Sequence, residues 1–344
     1  MNLERVQEIA NAVLYEGYML YPYRPSSVKN RQRFNFGVLC PPAYCEMQPG
    51  SESSFMQTEC LIRNAASARL TIQIRFLQIV QRTIGAYRHH ASDEIEFVDR
   101  LDVDGRLYQP WQEAAERSIT YDALDPLELL CPRHFDFVIP AESSREQLRA
   151  QDGPIGVIVR ESQRLAGTLS VQAVQCRDSI MKLVLQLENR TRFDAAGPEQ
   201  GRDSALPHSL VSAHMILGVE NGEFLSLLEP PPEYQDLARS CANIGNWPVL
   251  AGHGADTMLA SPIILYDYPT IAPESAGNLF DSTEIDEILS LRILTLTDQE
   301  KAEIRQTDDR ARELLERTET IPDEQFMKLH GVLRGLTALK EGPA

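Results

Sequence analysis

Lysine is scarce in this chain. Only five of its 33 basic residues are lysine, and none follows a glycine. A phosphate cradle of the G-x-x-x-x-G-K-[ST] kind, which needs that lysine beside glycine-rich backbone amides, is excluded. Gly252-His-Gly254-Ala-Asp-Thr257 lacks the third glycine of a dinucleotide fingerprint, and no alternation of strands with crossover helices surrounds it. G-x-S-x-G and H-E-x-x-H are both absent, so neither a nucleophile elbow nor a zinc-protease helix is present. No apolar run approaches the roughly 18 residues of a membrane span. The first residues, MNLERVQEIANAVLYEG, hold Glu4, Arg5 and Glu8 and no apolar core of a secretory leader, so a cytoplasmic location is expected.

Positive charge is also short. Fifty acidic residues oppose 33 basic ones, a net charge of −17. A phosphate backbone or an anionic lipid surface repels such a chain unless a basic stripe exists. The longest is Lys29-Asn30-Arg31-Gln32-Arg33, which reads as a solvated loop, so no nucleic-acid partner is expected.

Six cysteines (40, 45, 60, 131, 176 and 241) are scattered. In a reducing compartment they are free thiols. Cys40 and Cys45, with Cys60 beyond, come nearest to a metal pattern. A structural zinc needs a second close pair, and adjacent His89 and His90 are poor joint chelators. No bound metal and no cofactor are expected. The sequon Asn189-Arg190-Thr191 has no secretory context and carries no weight.

What is present is mostly strand. Val6, Ile9, Ala10, Val13 and Leu14 recur at helical spacing and predict an N-terminal helix. Phe34–Leu39, Phe55–Ile62, Leu70–Ile84, Phe135–Ile139, Ile155–Arg160, Leu169–Val174 and Ser179–Leu187 read as strands. In Leu70–Ile84 apolar residues alternate with Thr, Gln and Arg, which predicts one buried face and one wet face. Asp104-Gly105 and Asn221-Gly222 are hairpin signals, the second the stronger, because both central residues of a type I′ turn need positive φ. Residues 193–207 read as a loop. From 281 onward the character is helical. Asp281-Ser-Thr-Glu284 and Thr297-Asp-Gln-Glu300 fit the N-terminal capping pattern, and Pro322 suits the start of a last helix. The expected fold class is α+β: an antiparallel, sandwich-like β-rich body with an N-terminal helix and C-terminal helices. It divides into 1–150 (N-terminal helix plus β-rich region), 151–280 (sandwich-like region) and 281–344 (helical region).

Two segments are candidates for function. Cys241-Ala-Asn243-Ile-Gly-Asn246-Trp247-Pro248 is a sharp turn with one of only two tryptophans. Cys241 as a nucleophile would need a base, and His214 or His253 is nearest in sequence, yet nothing local marks a dyad. Packing of Trp247 beneath the turn is the default. The second segment combines Asp267, Tyr268, Glu274, Phe280, Glu284 and Glu287, with Pro269 and Pro273 stiffening the backbone. Aromatic anchors ringed by charge suit a protein interface. A brace between the sheet body and the C-terminal helices is the competing account.

Four strings carry a resemblance: AVLYEGYMLYPYRPSSVKNRQRFNFGVL at 12–39, GVENGEFLSLLEPP at 218–231, WPVLAG from Trp247, and SPIILYDYPTIAPESAGNLFDSTEIDEILSLRILTLTDQEK ending at Lys301. Together they resemble an uncharacterised bacterial family associated with gene clusters for [NiFe] hydrogenases of the oxygen-tolerant, high-affinity kind. The resemblance implies a role in maturation, assembly or support of such an enzyme. It supplies no catalytic residue. The expected function is that of a non-catalytic accessory protein binding a hydrogenase subunit or maturation factor. The alternatives are an enzyme with an unmotifed Cys- or carboxylate-dependent site, and an assembly module unrelated to hydrogenases.

Overall fold

The period-two runs fold as strands, and every strand pairing among the described residues is antiparallel. The structure, a computed structural model, describes residues 3–15, 34, 36–88, 94–177, 179–194, 201–270, 293–307, 312, 315–316 and 318–320. Helix α1 (Leu3–Leu14) and a short α2 (Pro42–Met47) come first. Then follow β1 (Phe55–Arg63), β2 (Arg69–Tyr87), β3 (Ile95–Val98), β4 (Leu101–Val103), β5 (Arg106–Tyr108) and β6 (Trp111–Leu124). Next are β7 (Arg133–Ile139), β8 (Glu142–Ala150), β9 (Gly153–Ser162), β10 (Leu165–Arg177) and β11 (Ile180–Asn189). A helical turn α3 (Arg202–Ala205) precedes β12 (Val211–Glu220) and β13 (Glu223–Leu225). After α4 (Gln235–Arg239) come β14 (Trp247–Leu250), β15 (Thr257–Ser261) and α5 (Asp298–Thr307).

Two sheets form the body. One runs β13-β1-β11-β10-β7; the other runs β14-β15-β12-β2 and continues to β6 on the far edge of β2. Leu70, Ile72, Ile74 and Phe76 of β2 face Leu165, Leu169, Leu183, Leu185 and Leu187 of the opposite sheet in one core. The fold is thus α+β with an antiparallel, sandwich-like body. Strands of 1–150 and 151–280 lie side by side in both sheets, as in the β1–β11 and β2–β12 pairs, so these stretches share one sandwich. The 19-residue β2 outlasts it. Its second half pairs with β9 and β3 and leads to a smaller cluster of Ile84, Val103, Leu148 and Ile158. Among the described residues no helix is long and apolar enough to cross a membrane.

The α1 face folds as its spacing dictates. Val6, Ile9, Ala10 and Val13 are buried on Ile216, Val249, Ala251 and Leu259, the outer face of β12, β14 and β15. That cover corrects the expectation of a wet face on β2. On that face Arg75 is buried, and Leu77 and Ile79 pack with Trp111, Tyr15 and Ile304. The Asp104-Gly105 hairpin forms as expected, with φ of 51° and 83°. At the start of α5 the Thr297 amide donates to the Glu300 carboxylate (2.8 Å), and the Glu300 amide donates to the Thr297 hydroxyl (3.3 Å), a closed capping box. The other capping pattern, at 281–284, and the helix expected after Pro322 lie outside the described residues.

Several expectations fail for physical reasons. Phe34–Leu39 is not a strand: Phe34 and Gly37 have φ near 59° and 56°, and only Leu39 bridges to neighbours. Residues 202–208 are helical turns rather than loop, because Ala205 and Leu206 are buried beneath them. Asn221-Gly222 does not make a hairpin. Asn221 has φ 58°, but Gly222 is not left-handed, and β13 leaves β12 to pair with β1 in the other sheet. The turn is a corner of the sandwich. Its glycine answers a packing need: a Cβ there would lie 3.1 Å from Ala68 Cβ, the Arg63 carbonyl oxygen and Val219 Cγ2. Gly222→Val should therefore cost about 1–3 kcal/mol through overpacking. Urea unfolding should show a lower midpoint at unchanged slope; an unchanged midpoint would mean the corner yields freely.

Candidate functional site

Asp267 and Tyr268 are described, whereas Glu274, Phe280, Glu284 and Glu287 lie outside the described residues. After β15 the chain runs back past the edge strand β14. Ile263 and Leu265 turn inward against the α1 cluster. Ile264, Tyr266 and Tyr268 turn outward and are 73%, 87% and 45% exposed. The Leu250 amide donates to Asp267 Oδ1 (2.7 Å), the Ser226 hydroxyl donates to Oδ2, and the Tyr268 amide donates to the Leu250 carbonyl (2.7 Å). The Asp267 carboxylate thus pins this stretch to the body and holds its backbone while the outward side chains face solvent. Trp247, expected to pack beneath its turn, is instead 44% exposed.

The residue buried in that turn is Asn246. It accepts from the Thr58 hydroxyl (2.7 Å) and donates to the Gln57 carbonyl (2.9 Å). Asn243 accepts from the Glu59 amide (2.8 Å), and Glu59 in turn accepts from the Ala242 amide and Lys182 Nζ, both at 2.9 Å. The turn is stitched to β1 by side-chain amides, so its polar residues serve the backbone. Cys241 packs with Leu61, Ile180 and Ala238 on one outer face of the sandwich. His214 lies on β12 in the opposite sheet, so these two do not converge. Burial pushes the Cys40 thiol up to about 12 and Cys241 up to about 11, and it raises Cys60 and Cys45 too. None of these four is a ready thiolate at neutral pH. Among the described residues no three His, Cys, Asp or Glu side chains gather as a metal site. His89 and His90 lie outside the described residues.

A polar site that the sequence reading did not assemble lies between α1 and the β12–β2 ladder. Gln73 and Arg75 are two apart on β2 and share a face; His214 is the direct cross-strand partner of Arg75. An extra residue bulges β12 between Val211 and His214, and Ser212 there holds φ 54°. A buried non-glycine residue in that region is strained. Its hydroxyl donates to the Val13 carbonyl of α1 (3.1 Å). Its carbonyl lies 2.9 Å from His214 Nδ1. A carbonyl only accepts, so Nδ1 carries the proton and Nε2 presents its lone pair. Arg75, 4% exposed, donates to Asn11 Oδ1 of α1 (2.7 Å) and lies 3.5 Å from Glu116 of β6. The Tyr15 hydroxyl donates to the same Glu116 (2.8 Å).

Three atoms here have no partner: Gln73 Oε1, Arg75 NH1 and His214 Nε2. They are the only such buried side-chain atoms among the described residues. Orphaned polar groups normally cost about 1–3 kcal/mol each, so their gathering in one place marks the site. Burial, with Arg75 adding to it, lowers His214 to about 4 and leaves a neutral imidazole at pH 7. Burial also lowers the Arg75 guanidinium, against the pull of Glu116. Chemically, the site is a free imidazole lone pair facing a guanidinium under a helix. The sequence hid it because Gln-x-Arg on a strand reads as a solvent face; only knowing where α1 docks would have revealed it. No protein-family model and no curated protein matches this chain.

Proposed function

We propose that the chain is a non-catalytic accessory protein acting through protein contact, with a [NiFe] hydrogenase subunit or maturation factor as its client. The observation that carries the contact reading is the outward row Ile264, Tyr266 and Tyr268 on a backbone fastened by Asp267. Large apolar side chains presented on a stretch already ordered lose little entropy on docking, and aromatic anchors dominate interface energies. The client class rests on the resemblance of the four sequence blocks. The raised Cys241 thiol, and Cys241 and His214 lying on opposite sheets, weigh against pairing these two residues as a nucleophile and its base.

The test is a tagged purification from the native host beside an Ile264→Ser/Tyr266→Ser double variant. Both side chains are exposed, so the variant should keep its Tm within about 1–2 °C, as surface substitutions do. Hydrogenase proteins should co-purify with the parent and fall at least tenfold with the variant. Equal recovery would remove this surface from the account. Absence of any hydrogenase protein from the parent eluate would remove the client.

A further inference from the structure

We propose that the Gln73–Arg75–His214 site is an acid-sensitive latch, in which a proton taken up at His214 Nε2 releases helix α1 from the sheet. The geometry carries this. Three polar bonds tie the last turns of α1 to this site: Arg75 to Asn11, Ser212 to the Val13 carbonyl, and Tyr15 to Glu116. His214 is placed by a bulge and a strained Ser212, and its free lone pair is buried beside Arg75; Gln73 Oε1 on the same face is an uncharged acceptor that can take a new N–H without neutralising its charge. Protonation would set two cations side by side under the helix. The facing groups are Arg75 and Gln73 from β2, Glu116 and Ser118 from β6, and Asn11 and Tyr15 from α1; β15, the other neighbour of β12, carries no ionisable residue. Among these described residues Glu116 is the one anion, and it already serves Arg75 and Tyr15.

The helix is the part that gives way. The β12 strand is laddered to β15 on one edge and β2 on the other, so freeing His214 by moving the strand would break both ladders. Lifting α1 breaks no strand pairing. It uncovers Ile216, Val249, Ala251 and Leu259 and returns the imidazole to water.

The sign follows from linkage. The docked imidazole titrates near 4, against 6.5 for a free one, so the undocked state binds the proton better. Docking is strongest above pH 6.5 and weakens as pH falls toward 4, by up to tenfold per pH unit and about 300-fold in all. Hydrogen exchange of the whole chain, corrected for intrinsic rates, should show α1 amides losing protection between pH 7 and 5 while β10 and β11 amides keep theirs. His214→Gln should abolish that difference. The proposal is overturned if α1 and the sheet lose protection together, if α1 stays protected throughout, or if His214→Gln behaves as the parent. Should His214→Gln not fold, the ring resonances of His214 in the parent decide. Titration below pH 5 together with loss of α1 protection supports the latch. Titration near 6.5 with α1 still protected overturns it.

Discussion

Asn189→Leu should destabilise the protein by about 3–5 kcal/mol and lower its Tm by roughly 5–10 °C. Asn189 is fully buried at the end of β11. Its Nδ2 donates to the carbonyls of Leu39 (2.8 Å) and His208 (2.9 Å), and its Oδ1 accepts from the Thr191 amide (2.8 Å). One amide thus joins the sheet to the irregular segment 36–40 and to the end of the helical turn at Leu206–His208. Leucine has the same branched heavy-atom skeleton, with bulkier methyl groups, and answers none of those three backbone groups. Asn189→Asp should be at least as damaging at neutral pH, because a carboxylate would face two carbonyl oxygens. A thermal melt within 2 °C of the parent for Asn189→Leu would mean that solvent reaches these groups and the clamp is dispensable. The same residue is the sequon asparagine. Its burial explains the sequon without glycan: Thr191 follows because its amide and hydroxyl complete the same junction.

Phe76→Ala should cost about 3–5 kcal/mol, the range for removing a large buried aromatic ring from a core that relaxes only partly. Phe76 lies between the two sheets with no exposed surface, and its ring centroid is 6.1 Å from that of Phe137 in β7. Phe76→Leu should cost less than half as much, since it leaves a smaller hole. Guanidinium unfolding followed by fluorescence and by circular dichroism gives both values. Equal midpoints for Phe76→Ala and parent would place Phe76 outside the main core. The contrast with Tyr266→Ser, for which almost no loss is expected, separates residues that hold the sandwich from residues that face outward.

The main strands were legible because their burial is one-sided or complete. Leu70, Ile72, Ile74 and Phe76 alternate, and Leu183, Leu185 and Leu187 do the same, so period two survives in the sequence. Strands β6 and β8 left no such trace. The residues WQEAAERSITYDAL and ESSREQLRA are polar because β8 is an edge strand open to solvent and β6 closes one side of the sandwich, burying mainly Trp111. The Asn-Gly signal specified a local reversal at 221–222 but not the strand that would receive β13. That choice was made by Phe224 entering the core beside β1.

The candidate sites divide in the same way. Local chemistry determined the capping box at Thr297, the Asp104-Gly105 turn, the α1 stripe and the raw material of the 264–268 row. Each depends on neighbours within a few residues, whose sterics and hydrogen bonds act wherever the chain goes. Tertiary structure decided that Asp267 would fasten the row, that Trp247 would stay outside, that Cys241 and His214 would lie in opposite sheets, and that Gln73, Arg75 and His214 would meet under α1. Those outcomes join residues from 17 positions apart, as Leu250 and Asp267, to well over a hundred, as Arg75 and His214. They depend on strand register and on which sheet face a helix covers, and a pattern of period two or 3.6 shows that a face is apolar without naming its partner.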